Sequence, residues 1–266
     1  MRPFSLLLLA AAGLAAAEPK LNQLTSEESA TGWILLFDGK TFAGWDLRPA
    51  DAQPMWVVED GCLHVIPQGT MSEDEVRRRR SDLLTKQTFR DFDLRFQWRA
   101  ALGANSGVKY RLMGGWGRKV NRGPDEPESG FLSDISALRT ISSTGIEYQI
   151  ADDEHEKDAL SGALHAAGAV YEYVPAKKSH PAVASVWHDA RVLVRGTHFE
   201  HWLDGEIVAA GDYDSPEFRQ ALAATKRENF PRLFKPYPDH ETPIALQHHR
   251  TEVWFRNLRV LPLDAK

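Results

Sequence analysis

Apolar and polar residues alternate with a period of two along most of the chain, the signature of strands with one buried face. Phe92-Asp93-Leu94-Arg95-Phe96-Gln97-Trp98 is the clearest case, with Phe92, Leu94, Phe96 and Trp98 on one side. The same alternation predicts strands over Trp33–Phe37, Val108–Leu112, Ile146–Ile150, Arg191–Arg195, Ile244–Gln247 and Val253–Leu261. Glu59-Asp60-Gly61 joins two such runs, Trp56–Val58 and Cys62–Ile66, and Asp204-Gly205 joins His198–Leu203 to Glu206–Ala210. Asp-Gly between alternating runs signals a tight hairpin, because both turn residues take positive φ. Many short strands with such turns predict an all-β fold, an antiparallel β-sandwich of two sheets.

Two stretches break the alternation. Gly114–Thr144 mixes Gly, Pro, Ser and charge, with room for one helical turn near Leu132–Leu138. Asp212–Thr242 opens with Ser215-Pro216-Glu217, an N-cap followed by Pro at the first helical position, so one short helix is expected over Phe218–Thr225. Long loops in a compact domain either wall a binding site or decorate the surface. Arg77–Arg80 follows Glu73, Asp74 and Glu75, and reads as a solvated, locally paired face.

Composition narrows the function classes. Hydrophobic residues make up 42% of 266, enough for a full core, so disorder across the chain is excluded. Thirty-two Lys and Arg against 37 Asp and Glu leave a net charge of −5, without the basic footprint of a nucleic-acid binder. Arg2, an apolar run from Phe4 to about Ala12 and Ala15-Ala16-Ala17 before Glu18 form the three parts of a secretory signal peptide. The expectation is cleavage after Ala17, a single domain over residues 18–266, and a secreted or periplasmic product with no membrane span after cleavage. Cys62 is the one cysteine, so no intrachain disulfide forms; within its strand it reads as a buried thiol. No obligate protein partner is evident in the sequence.

No G-x-S-x-G elbow, H-E-x-x-H, P-loop or dinucleotide-binding glycine pattern occurs. The remaining chemistry lies in polar residues at strand positions. Ile146–Ile150 puts Glu147 and Gln149 on one face and runs into Asp152-Asp153; that face either meets solvent or lines a polar cleft. Gln247 and His249 share a face at the end of Ile244–Gln247, with His248 opposite. Asn105-Ser106-Gly107 enters the strand in which alternation puts Lys109 and Arg111 together. Arg111 suits an anionic or hydroxyl-rich ligand, or pairs with a carboxylate.

These residues also sit in recognisable motifs. Gly32-Trp33-Ile34-Leu35-Leu36-Phe37-Asp38-Gly39-Lys40 with Gly44-Trp45 resembles the opening of the 3-keto-disaccharide hydrolase domain family. The resemblance continues through Asp82–Thr85, Asp91–Leu94, Asn105–Val108 with Arg111, Glu147–Ile150 with Asp152-Asp153, Gly168–Tyr171 and His201–Gly205. It ends at Leu246-Gln247, His249 and Val253–Asn257. Where the family shows L-Q-D-H-G, this chain has Leu246-Gln247-His248-His249-Arg250.

The resemblance implies a concanavalin A-like jelly-roll sandwich acting on a carbohydrate substrate. It implies glycosides already oxidised to a ketone at C3 by a separate oxidoreductase. The ketone acidifies the hydrogen at C2, so general acid–base groups and an enolate stabiliser are needed for elimination, and hydration follows. On this reading Glu147 and His249 share acid–base duty, and Asn105, Arg111, Gln149, His201 and Gln247 bind substrate. No cofactor is certain; a divalent metal ion held near Glu147 or Asp152 is the one candidate. The competing reading is a non-catalytic, lectin-like module whose Trp45 or Trp202 stacks on a pyranose. A further one is a structural module of a larger surface complex.

Overall fold

The computed structural model describes residues 20–47, 55–79, 82–112, 145–224 and 241–263. The expected signal segment and the whole of Gly114–Thr144 lie outside them. Among the described residues thirteen strands follow in chain order: β1 (Ile34–Leu35), β2 (Trp45–Leu47), β3 (Trp56–Glu59), β4 (Cys62–Val65), β5 (Leu83–Thr85), β6 (Phe92–Ala100) and β7 (Asn105–Tyr110), then β8 (Ile146–Ala151), β9 (His188–Arg195), β10 (His198–Leu203), β11 (Glu206–Asp212), β12 (Ala245–Leu246) and β13 (Val253–Pro262). They form two antiparallel sheets, ordered β11-β10-β9-β6-β13-β4-β3 with β1 on β13, and β2-β5-β12-β7-β8. This is the expected two-sheet jelly-roll sandwich.

The predicted hairpins form at the predicted turns. Glu59 pairs with Cys62 across Asp60 and Gly61, whose φ values are 48° and 71°. Leu203 pairs with Glu206 across Asp204 and Gly205, at 50° and 86°. Positive φ at both turn positions gives the turn whose twist matches the flanking strands.

The core lies between the sheets. Phe92, Leu94, Phe96 and Trp98 of β6 all point inward. Phe96 meets Tyr148 of the other sheet edge-on at 5.7 Å, and Phe92 meets Tyr110 at 5.8 Å. Edge-to-face packing places positive ring edges on negative ring faces. Cys62 is buried and free, with burial pushing its thiol pKa up, so it is an unreactive core group. Trp45 is 2% exposed and its indole N–H donates to the Leu36 carbonyl at 2.7 Å. It belongs to the core and offers no platform for a sugar ring.

The helix expectation needs correction. Three short α-helices are present among the described residues, α1 (Ser26–Ala30), α2 (Glu73–Arg79) and α3 (Pro216–Ala224), with one 3-10 turn at Ala159–Ser161. The third follows the predicted cap, with the Ser215 hydroxyl accepting from the Phe218 N–H at 3.1 Å. The first is closed by a capping box between Thr25 and Glu28. The second forms in the acidic-then-basic run, where Arg79 pairs with Glu75 at 2.7 Å one turn away. Three acidic residues at its start suit the positive end of the helix dipole.

Candidate active site

The outward face of the five-stranded sheet is polar. Register puts Asn105, Gly107 and Lys109 of β7 opposite Ala151, Gln149 and Glu147 of β8. Ala245 pairs with Lys109 on the other side, and the Gln247 N–H donates to the Gly107 carbonyl at 2.8 Å. Period-two alternation therefore gathers Asn105, Lys109, Glu147, Gln149 and Gln247 on one face. Half-buried His249 lies in the segment between Gln247, which bonds Gly107, and Thr251, which bonds Asn105. There Thr251 Oγ1 bonds both the N–H and the carbonyl of Asn105, at 3.0 and 3.1 Å.

Glu147 leans over the backbone of Gly107. A Cβ built on Gly107 would stand 2.8 Å from both Cγ and Cδ of Glu147. Glycine is needed here for space, not for an unusual φ. The carboxylate thus rests over β7 at Gly107, which Gln149 flanks on one side and Gln247 on the other. Gln149 is 1% exposed and Gln247 9% exposed, yet Nε2 of the first and Oε1 of the second have no hydrogen-bond partner. A buried polar group left unsatisfied costs about 1–3 kcal/mol. A ligand hydroxyl, which donates and accepts at once, satisfies such a donor and acceptor together.

Lys109 lies directly across from Glu147 and is buried, with Nζ 3.3 Å from Asp82 Oδ2. Asp82 Oδ1 also accepts the His248 N–H at 3.1 Å. The pairing with Asp82 offsets part of the desolvation that burial imposes on an ion pair. The face therefore holds a carboxylate, an ammonium and open amide groups, a set that serves proton transfer and stabilises developing negative charge. Lys109, Asp82 and Gly107 were not among the expected site residues. The alternation of Val108–Leu112 already pointed Lys109 to this face, whereas the need for a glycine under Glu147 has no local signal.

Three expected site residues are placed elsewhere. Arg111 follows the end of β7 with φ 50°, which reverses the alternation that would have kept it beside Lys109. Its guanidinium donates to the Gly196 carbonyl, lies 3.9 Å from Asp91 and covers the Tyr213 ring at 5.0 Å. It ties β7 to the β9–β10 turn and takes no part in the polar face.

His201 points into the core with Phe199 and Leu203, fully buried. Its Nδ1 is 3.0 Å from the Gly168 carbonyl and its Nε2 2.9 Å from the Tyr110 hydroxyl, which also meets the Tyr213 hydroxyl at 2.8 Å. Burial holds its pKa down at about 4 and pushes that of Tyr110 well up, so both stay neutral. The residue links the two sheets from within the core.

Asp152 is fully buried just past the end of β8, at an odd offset from Glu147 that carries it to the other side of the sheet. It accepts from the N–H of Gly103 at 2.8 Å, the N–H of Glu154 at 3.2 Å and His155 at 3.0 Å. Its neighbour Asp153 holds the N–H groups of Ala167 and Ala182 and the Lys178 ammonium. The acidic pair shapes loops. Among the described residues no group of three or more His, Cys, Asp or Glu side chains is placed to hold a metal ion.

Comparison with known proteins bears on this face. The model of the 3-keto-α-glucoside-1,2-lyase-like domain matches residues 32–261. A 3-keto-disaccharide hydrolase of Bacteroides thetaiotaomicron is 29% identical over 94% of this chain and 84% of its own. An inferred glycosyl hydrolase from Parabacteroides distasonis, known from a crystal structure, superposes with a TM-score of 0.69 at 25% identity, over 92% of this chain and all of that one. A second from the same organism reaches 0.58 at 21% identity, over 87% and 99%, which shows the shared fold. With its matched region spanning both sheets and every residue of the polar face, the chain belongs to the 3-keto-α-glucoside-1,2-lyase-like domain family.

Proposed function

We propose that this protein cleaves the glycosidic bond of glycosides carrying a ketone at C3, by removal of the C2 proton, elimination and hydration. The observation behind the reading is the Glu147 carboxylate seated over Gly107, opposite Lys109 and between the open amides of Gln149 and Gln247. The relative described as a 3-keto-disaccharide hydrolase supports the substrate class.

In the first step Glu147 takes the proton from C2, and the electron pair of the C–H bond moves into an enolate on the C3 oxygen. The Lys109 ammonium stabilises that oxygen; loss of one such donor typically costs about 10²–10³ in rate. As the enolate collapses, the C1–O bond breaks and the aglycone leaves with a proton from His249. The hydroxyl of a water then adds to C1 as its proton passes to His249, and the proton held by Glu147 returns to C2. The balance is one water consumed and one keto-sugar and one alcohol released. No step needs a second catalytic carboxylate, and Asp82 is already held by Lys109 and a backbone N–H. Gln149 and Gln247 orient the ring hydroxyls.

The test is a 3-keto-disaccharide deuterated at C2. Its single-turnover cleavage should be several-fold slower than that of the protiated compound. Equal rates in single turnover would contradict C2 abstraction. The reading includes export: the mature protein recovered from its host should begin at Glu18, by intact mass, and a chain retaining Met1–Ala17 would contradict it.

A further inference from the structure

The other outward face, that of the eight-stranded sheet, has a cleft of about 590 Å³. A straight row of side chains crosses it. Arg259 of β13 lies opposite Arg95 of β6, Arg95 opposite Arg191 of β9, and Arg191 opposite Trp202 of β10. Adjacent strands stand about 4.8 Å apart, so three guanidinium-bearing positions recur at that interval across the sheet. Like charges directly opposite one another destabilise a sheet. This row is nevertheless built rigidly.

Arg95 stacks over Trp33 at 4.6 Å and Arg191 over Trp202 at 5.1 Å. Asp93 bridges Arg95 and Arg191 at 3.2 and 2.8 Å, and Glu28 holds Arg259 at 2.6 Å. Two carboxylates thus anchor three guanidinium groups. The arginine side chains stay 41%, 28% and 26% exposed in row order from Arg95 through Arg191 to Arg259. Arg95 Nε is buried without a hydrogen-bond partner. Gln97 and Asp189 lie beside the row and add hydrogen-bonding groups to the cleft.

We infer that this cleft binds an acidic oligosaccharide, a chain of hydroxyl-rich units with a carboxylate at regular intervals, lying across the strands. Guanidinium groups match carboxylates through paired N–H donors, and the strand interval approximates one pyranose unit. The neighbouring amide and carboxylate groups suit its hydroxyls. The site is on the opposite side of the sandwich from Glu147, so it would hold the protein on a polymer while the polar face acts elsewhere. It does not depend on the reaction assigned to that face.

The test measures binding of an oligogalacturonate, a neutral malto-oligosaccharide of equal length and inorganic polyphosphate to the full mature chain, at low and high salt. The oligogalacturonate should bind best, and more weakly as salt rises. Arg95→Gln and Arg191→Gln should each weaken it at least tenfold, with Arg191→Lys intermediate, while all three keep wild-type cleavage of a small 3-keto-disaccharide. Glu147→Gln should bind the oligogalacturonate like wild type. Equal binding of the neutral chain, tighter binding of polyphosphate, unchanged affinity in the arginine variants, or loss in Glu147→Gln would overturn the inference.

Discussion

Glu147→Gln is expected to lower turnover of a 3-keto-glycoside by about 10²-fold or more, typical for loss of a positioned general base. The amide keeps the size and shape of the carboxylate and still rests over Gly107. It removes the basicity, not the packing, so the melting temperature should barely change. The loss should fall on kcat, because the proton transfer belongs to the transition state and substrate hydroxyls still meet Gln149 and Gln247. His249→Gln should act in the same direction, with its largest effect on substrates whose leaving group is a poor one, since that group needs the proton most. Full activity in Glu147→Gln, measured as kcat on a purified 3-keto-disaccharide, would mean that another group takes the C2 proton.

Gly107→Ala should be nearly as damaging, although Gly107 has no functional group. The added methyl would sit 2.8 Å from Cγ and Cδ of Glu147, well inside contact distance. The strand below is held on both sides, by β8 and by the Gln247 N–H, so the backbone has little freedom to retreat. Either the carboxylate swings off its place or the strands separate. Overpacking of this kind costs about 1–3 kcal/mol, and a misplaced base costs about 10²-fold in rate. Two readouts separate the outcomes: the melting temperature reports the strain and kcat/KM reports the displaced carboxylate. Combined with Glu147→Gln, the two losses should not multiply, because both act through one group. Wild-type activity in Gly107→Ala would show that the observed carboxylate position is not the one used in catalysis.

Much of this molecule is legible in its sequence for a simple reason. A strand with one buried face must alternate, and a two-residue hairpin must find two residues that accept positive φ. Asp60-Gly61 and Asp204-Gly205 therefore announce their turns, and Phe92–Trp98 announces its buried side. The same parity groups Glu147 with Gln149 and Gln247 with His249.

Parity fails where the strand ends, and Arg111 marks that point. Its positive φ turns the side chain away from Lys109, and nothing in Tyr110-Arg111-Leu112 signals the reversal. His201 is a different case. Its alternation with Phe199 and Leu203 already placed it inward, and only the family motif around it suggested contact with substrate. Asp152, on the odd offset from Glu147, likewise carried its own contrary evidence. The role of Gly107 depends on a side chain forty residues further on, and the arginine row depends on the register of four strands. Such features arise from the tertiary arrangement and have no local signature.

The most direct measurement is side-by-side cleavage of a 3-keto-disaccharide and the same disaccharide with its C3 hydroxyl intact. Without the ketone the C2 hydrogen is far too weak an acid for a carboxylate to remove, and no enolate forms for Lys109 to stabilise. The account predicts release of the keto-sugar from the first compound and no release above background from the second. Comparable cleavage of the unoxidised disaccharide would contradict it.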